Sequence, residues 1–136
     1  MVDTSKLLQT NIYTIEKNNM GHTIILGSGL DQLPSNNNNF KLLTDHIISE
    51  ITTSLNISKK YNNTTNNVHI YLKNCTFKNI NMSLYRKLAK TLNDTFEETL
   101  NCCYIYDLSS IGTFVLKVIK LFLDPITKKK IIIVKT

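Results

Sequence analysis

The sequence predicts an α/β fold built on a mostly parallel β-sheet with crossover helices. After residue 40, short apolar segments rich in β-branched side chains alternate with longer segments whose apolar residues recur at helical spacing. The strand-like segments are apolar on both faces, which is typical of parallel strands joined by right-handed crossovers. Because 136 residues correspond to one hydrophobic core, we expect a single domain over residues 1–136.

Residues 10–27 are predicted to form a β-hairpin. The segments NIYTI and HTIILG favour strands, and the intervening KNNMGH contains Gly21, which indicates a turn. The Gly-Ser-Gly sequence at 27–29 lacks the spacing of phosphate-binding loops, so we interpret it as a second turn. Residues 31–39, with Pro34 and four consecutive asparagines, are interpreted as a polar loop.

Helices and strands then follow in alternation. Apolar side chains recur at helical spacing from Phe40 to Leu55, and Asn39 is placed to cap that helix. A polar loop is predicted over residues 58–67. The remaining predicted elements are a strand at 68–73, a helix after Asn81, a strand at 102–108, a helix at 110–123 that stops at Asp124-Pro125, and a strand at 130–135.

Charge and cysteine usage narrow the class of protein. The net charge is +6, all of it in residues 68–136, and the last twenty residues alone carry +5. Such a concentration attracts the phosphates of nucleic acids or of anionic membranes. Three cysteines without CxxC spacing argue against a secreted disulfide framework, and the N-terminal residues have no apolar core of signal-peptide length. We therefore expect a cytoplasmic protein.

No catalytic or metal-binding constellation is recognisable in the sequence. His22, His46 and His69 lie in three different predicted elements, and none has the spacing typical of metal ligands. The adjacent Cys102 and Cys103 point to opposite faces of a predicted strand and are interpreted as small buried hydrophobes. The sequence therefore predicts a protein that is not an enzyme and needs neither metal nor cofactor.

The predicted helix at 110–123 is the most unusual element. On a helical wheel, Thr113, Lys117, Lys120 and Asp124 form one narrow polar stripe, and nearly all other positions are apolar. One interpretation is a core helix with a lysine-edged solvent stripe. The other is a helix that covers an apolar ligand cavity or rests on a membrane, where its lysines meet lipid headgroups.

Four motifs between residues 68 and 135 occur in a familiar order. They are Phe96-Glu97-Glu98-Thr99, then Tyr106-Asp107-Leu108, then Lys120-Leu121-Phe122-Leu123-Asp124-Pro125 followed by Thr127-Lys128-Lys129-Lys130-Ile131. In order and spacing they resemble the CRAL-TRIO lipid-binding domains, the family of the phosphatidylinositol-transfer proteins. The resemblance implies a mostly parallel sheet roofed by a gate helix at 110–123, with a pocket for one lipid. It also implies a minimal version without the family's preceding helical domain.

The resemblance assigns roles to individual residues. The acid, threonine and lysine that hold an inositol phosphate headgroup in the family fall on Glu98, Thr127 and Lys130. The gate helix is implied to line the pocket with apolar side chains, and nearby lysines are expected to face the membrane. The pocket residues are Phe114, Val115, Val118, Ile119 and Phe122, and the membrane-facing lysines are Lys117, Lys120, Lys128 and Lys129.

These observations predict a lipid-binding or lipid-transfer protein that recognises anionic phospholipid, above all phosphoinositide, as a peripheral membrane protein. The alternative is a small α/β protein-interaction module of the anti-sigma-factor-antagonist type. Nucleic acid is not an expected partner because aromatic side chains are not interleaved with Lys128 to Lys130. The apolar gate helix and the strand at 130–135 would expose apolar surface to water unless another surface packs on them, so we also expect a homodimer. Two chains could form it by exchanging both elements, with residues 108–112 as the hinge.

Overall fold

One five-stranded sheet organises the fold in the computed structural model, which describes residues 3–77 and 80–135. The strands lie side by side in the order in which they occur along the chain. They are β1 (Ile12–Lys17), β2 (Met20–Leu26), β3 (Asn66–Tyr71), β4 (Leu100–Tyr106) and β5 (Ile131–Val134). β1 is antiparallel to β2, and the other three pairings are parallel. The predicted α/β class with a mostly parallel sheet is confirmed.

One helix precedes the sheet, and the others connect its parallel strands. They are α1 (Thr4–Asn11), α2 (Gly27–Leu30), α3 (Asn37–Lys59), α4 (Met82–Phe96), α5 (Ser110–Lys120) and α6 (Pro125–Lys129). Side chains of α3, α4 and α5 line the same space above β3, so these helices lie on one face of the sheet. This arrangement is what crossovers of one hand produce when each new strand is added at the same edge.

The core lies between this face of the sheet and the helices α1 and α3. Leu8 and Ile12 are buried at the junction of α1 and β1, and Ile47 and Ile51 are buried on α3. The helix α1, which was not predicted, is capped by Asp3, whose carboxylate accepts a hydrogen bond from the Lys6 amide at 3.2 Å. Each helix in the described ranges is too short or too polar to cross a bilayer.

The predicted hairpin is present, and its turn lies within the predicted segment KNNMGH but not at Gly21. The chain reverses at Asn18 and Asn19, which both have positive φ angles of 54° and 61°, as a two-residue hairpin turn requires. Gly21 instead lies within β2, where its amide donates to the Ser58 hydroxyl at 2.9 Å. A Cβ atom at this position would overlap the backbone of Ser54, so the glycine permits close packing of β2 against α3.

The asparagine run begins a helix and is not a polar loop. Asn36 caps α3 by accepting a hydrogen bond from the Asn39 amide at 2.8 Å, so the helix starts before the predicted Phe40. The Asn39 side chain donates in turn to the Pro34 carbonyl at 2.9 Å. Similarly, Gly27–Leu30 is a short helix and not a turn. The asparagine run thus supplies the cap of α3.

The C-terminal helix is shorter than predicted and is followed by a second one. α5 ends at Lys120, and residues 121–123 form a turn. Asp124 then caps α6 by accepting from the Thr127 amide at 2.7 Å, and Pro125 occupies the first helical position. The Asp-Pro pair therefore both stops one helix and starts the next.

Candidate ligand cavity

A cavity of about 310 Å³ lies between the sheet and the helices α3, α4 and α5. Its wall is predominantly apolar: the sheet contributes Val68, Ile70 and Ile105, α3 contributes Ile47, α4 contributes Leu92, and α5 contributes Val115. Protein interiors normally pack with few voids larger than a water molecule. An apolar space of this size therefore indicates a binding site for an apolar ligand.

The helix α5 forms one wall of the cavity, but only two of the five residues predicted to line the cavity do so. Val115 and Ile119 face the cavity, whereas Phe114, Val118 and Phe122 are absent from its lining. Phe114 is 65% exposed on the outer side of the helix. Phe122 falls in the turn after α5, where the Arg86 guanidinium lies 5.5 Å from its ring centre.

Apolar side chains and lysines are exposed on α5, on α6 and in the turn between them. Ile111, Phe114, Leu121 and Ile126 are all more than half exposed. Lys117, Lys128 and Lys129 are also exposed, and Lys120 is half-buried. We call these eight residues the outer α5–α6 surface.

The predicted headgroup residues lie near the amino ends of β4 and β5, but they differ in burial and in whether they line the cavity. Thr127 is buried and lines the cavity, and its hydroxyl has no well-formed hydrogen bond within the described part of the chain. Lys130 is half-buried, and its Nζ donates to the Glu97 carbonyl at 2.7 Å. Glu98 is exposed and does not line the cavity, whereas the adjacent Glu97 does. The structure therefore brings Thr127 and Lys130 together with Glu97 instead of Glu98.

Sequence reasoning missed other polar residues at this end of the cavity. Asn66 is 1% exposed and lines the cavity; its amide nitrogen donates to the Ser54 hydroxyl at 3.0 Å, while its Oδ1 is buried without a partner among the described residues. Asn93 also lines the cavity and donates to the Asp124 carboxylate at 3.3 Å. In a chain with 17 asparagines, no sequence signal distinguished these two.

Two carboxyl groups interact at the same end. The hydrogen bond between the side chains of Glu97 and Asp124 raises the pKa of Glu97 and lowers the pKa of Asp124 to about 2. The Thr127 amide also stabilises the Asp124 carboxylate. The negative charge therefore resides on Asp124, the cap of α6, and Glu97 is the member of the pair that more readily carries a proton.

The thiols of the cavity are unreactive. Burial raises the pKa of Cys103 to about 12, and burial raises the pKa of Cys75 to about 11. Both side chains line the cavity and remain protonated at neutral pH, so neither supplies a thiolate nucleophile.

Within residues 3–77 and 80–135, no group of three or more metal-ligating side chains is placed to hold an ion. The cavity is equipped to hold an apolar molecule and to hydrogen-bond at one end.

Comparison with known proteins identifies the architecture. The family profile described as a CRAL/TRIO domain matches residues 9–136. A solved structure titled "Crystal structure of Sfh5" is similar in fold, with a TM-score of 0.68 at 20% sequence identity. The alignment covers 98% of this chain and 49% of that one, so this chain spans about half the length of its structural neighbour. No curated protein matches the sequence.

Proposed function

Because the chain belongs to the CRAL/TRIO family of lipid-binding and lipid-transfer proteins, we propose that it binds anionic phospholipid, in particular phosphoinositide, at membrane surfaces. The role proposed is non-enzymatic. The hydrocarbon part of the lipid enters the cavity, and the phosphate remains outside it near α6. The single observation that carries the proposal is the apolar cavity of about 310 Å³, because a folded domain gains nothing in stability from leaving such a space unfilled.

The distribution of charge supports an anionic headgroup. Lys128, Lys129 and Lys130 follow one another at the end of α6, directly after the cavity residue Thr127. A lysine ammonium group attracts phosphate, whereas the Asp124 carboxylate repels it. The favoured position for a phosphate is therefore beside Lys130 and outside the cavity, with the Thr127 hydroxyl available to the polar part of the lipid.

The outer α5–α6 surface supports docking on a membrane. Its exposed apolar side chains can enter the headgroup region while the lysines remain at the level of the phosphates. Since α5 also forms one wall of the cavity, a membrane that binds this surface lies next to the ligand site. A protein-interaction module of the anti-sigma-factor-antagonist type needs neither the cavity nor this surface, so lipid binding is the better-supported function.

Vesicle flotation tests the proposal. We expect the protein to float with phosphatidylcholine vesicles that contain phosphatidylinositol phosphate, and to bind pure phosphatidylcholine vesicles much less at physiological salt. Vesicles of equal charge made with phosphatidylserine separate headgroup recognition from general attraction. Equal binding to both kinds of anionic vesicle would support binding of anionic lipid in general but contradict a preference for phosphoinositide. Absence of binding to all three would overturn the proposed function.

A further inference from the structure

Two buried polar atoms at the amino end of the cavity have no hydrogen-bond partner among the described residues. They are Oδ1 of Asn66 and Oγ1 of Thr127, and both residues line the cavity. Asn66 is 1% exposed and Thr127 is 7% exposed, so solvent hardly reaches either side chain. Buried polar groups are nearly always hydrogen-bonded in folded proteins, and an unpaired one destabilises the fold. The two atoms therefore indicate that a bound molecule supplies polar groups at this end.

The two atoms require different partners. A threonine hydroxyl both donates and accepts, so phosphate, ester or hydroxyl oxygens of a lipid can all pair with Thr127. The Oδ1 atom of Asn66 is a carbonyl oxygen and can only accept. The amide nitrogen of Asn66 donates to the Ser54 hydroxyl at 3.0 Å, and this contact holds the nitrogen toward α3. Only an O–H or N–H group can therefore pair with Oδ1.

Asn66 lies between the positions proposed for the hydrocarbon and for the phosphate. It is the first residue of β3, and its backbone amide donates to the Thr99 carbonyl at 3.0 Å, beside the connection from α4 to β4. The Nζ atom of Lys130 donates to the Glu97 carbonyl in the same connection at 2.7 Å. Two residues further along β3, Val68 belongs to the apolar wall. A phosphate beside Lys130 therefore brings the lipid backbone, which joins the headgroup to the chains, close to Asn66.

Lipid backbones differ in whether they carry a donor at this position. In a diacylglycerol backbone both chains are attached through esters, whose oxygens only accept hydrogen bonds. In a ceramide backbone one chain is attached through an amide N–H, and a free hydroxyl lies next to it. An ester backbone therefore leaves Oδ1 of Asn66 unpaired, whereas a ceramide backbone can pair with it. An acceptor that stays unpaired when the ligand excludes water lowers the affinity.

We propose that Asn66 gives the site a preference for anionic phospholipids with a ceramide backbone, whose amide or hydroxyl donates to Oδ1. This inference rests on the proposed function and specifies the backbone of its ligand. Diacylglycerol phospholipids remain ligands, because the apolar wall and Lys130 interact with features that both lipid classes share. The preference expected from one buried hydrogen bond is about tenfold in affinity.

Two lipids with the same headgroup test the inference. Inositol phosphoceramide and phosphatidylinositol of matched chain lengths are offered in equal amounts in phosphatidylcholine vesicles, and native mass spectrometry measures which lipid the protein carries. We expect inositol phosphoceramide to bind about tenfold more tightly. Equal binding, or tighter binding of phosphatidylinositol, would overturn the inference and leave the proposed function intact. Binding of neither lipid would refute the proposed function and this inference with it.

Three variants locate the preference. Asn66→Leu replaces the amide by methyl groups with the same branching, and it should abolish the preference while phosphatidylinositol still binds. Ser54→Ala releases the amide nitrogen of Asn66, so the preference should fall, and this variant keeps the test valid if Asn66→Leu does not fold. Thr127→Val is the matched control: its hydroxyl can pair with either lipid class, so both affinities should fall alike and their ratio should stay the same. A preference that persists undiminished in whichever of Asn66→Leu and Ser54→Ala folds would overturn the inference.

Discussion

The Nδ1 atom of His22 lies 3.0 Å from the Nε2 atom of His69, which joins β2 to β3 on the sheet face opposite the cavity. The Nε2 atom of His22 lies 3.1 Å from the Lys17 carbonyl, which can only accept, so His22 donates there. His69 must then donate to His22, and its own Nδ1 accepts from the Tyr106 hydroxyl at 2.8 Å. All of these contacts are satisfied when both imidazoles are neutral.

Acidification should therefore destabilise the fold through His69. Burial, together with the neighbouring His22 and Lys17, lowers the pKa of His69. The unfolded chain takes up a proton near the ordinary pKa of about 6.5, whereas the folded chain resists it. This contribution to stability is complete above about pH 6.5 and is lost as the pH falls below that value.

Urea denaturation at pH 7.5 and pH 5.5 measures this effect. The unfolding midpoint of the wild-type protein should fall at pH 5.5, and His69→Gln should show a smaller fall. His46→Gln is the matched control, because His46 contacts the Ile12 carbonyl at 2.9 Å and lies outside the His22–His69 contact. An undiminished pH dependence in His69→Gln would show that proton uptake occurs elsewhere.

Gly21→Ala should destabilise the protein strongly. The added methyl group would overlap the Ser54 backbone, which cannot rotate away as a side chain can, so β2 and α3 must separate. We expect a loss of about 3 kcal/mol in the free energy of unfolding. Gly112→Ala is the control: its Cβ would meet the flexible Leu108 side chain at 2.9 Å, and alanine favours the helix, so the change should stay within about 1 kcal/mol.

The alternation of strands and helices was sufficient to predict the fold class, because the periodicity of the apolar residues follows directly from burial. Helix starts were harder to predict. The run from Asn36 to Asn39 offers four candidate caps with identical side chains, and nothing in the local sequence singles out Asn36, which caps α3 in the structure. The turn at Asn18 and Asn19 lies within the predicted turn segment, but we expected Gly21 to form it because glycine adopts positive φ angles most readily.

The positions of the candidate site residues could be inferred only in part. Thr127 and Lys130 lie just before β5, as their spacing from the apolar strand segment indicates, and Thr127 lines the cavity. Their role in headgroup binding stays a prediction. Whether Glu97 or Glu98 lines the cavity depends on how α4 ends, and the packing of the helix determines that end. The contribution of Asn66 arises from α3, because Ser54 holds its amide and thereby orients its oxygen.

Lys130→Ala should weaken binding to phosphoinositide vesicles more than Lys135→Ala. Lys130 lies beside the polar end of the cavity, whereas Lys135 is exposed beyond β5. General attraction to an anionic surface contributes about 1 kcal/mol per lysine, or about fivefold in affinity, and this is the loss expected for Lys135→Ala. Flotation titrations would measure both. Equal losses would mean that the lysines act only as surface charge.

Phe114→Ser should reduce vesicle binding without lowering the melting temperature. The ring is 65% exposed, so the folded protein loses little packing, whereas docking loses an apolar side chain of the outer α5–α6 surface. Tyr71→Ser removes an exposed aromatic side chain from the opposite face of the sheet and serves as the control. If the Tyr71 variant loses as much vesicle binding as the Phe114 variant, the outer α5–α6 surface is not the docking surface.

The last expectation is that the protein forms a homodimer through β5. Among the described residues, β5 pairs with β4 on one side and has no strand on its other side, so its outer backbone groups can pair with a second copy. Ile132 and Ile133 are both 39% exposed on opposite faces of the strand, and pairing across a two-fold axis would cover them. Light scattering should give about twice the 15.6 kDa chain mass, and Ile133→Lys should return the monomer because a lysine at a sheet edge opposes pairing. Ile15→Lys, on the edge strand β1, should leave the dimer intact. A wild-type mass that stays near one chain across a wide concentration range would contradict this expectation.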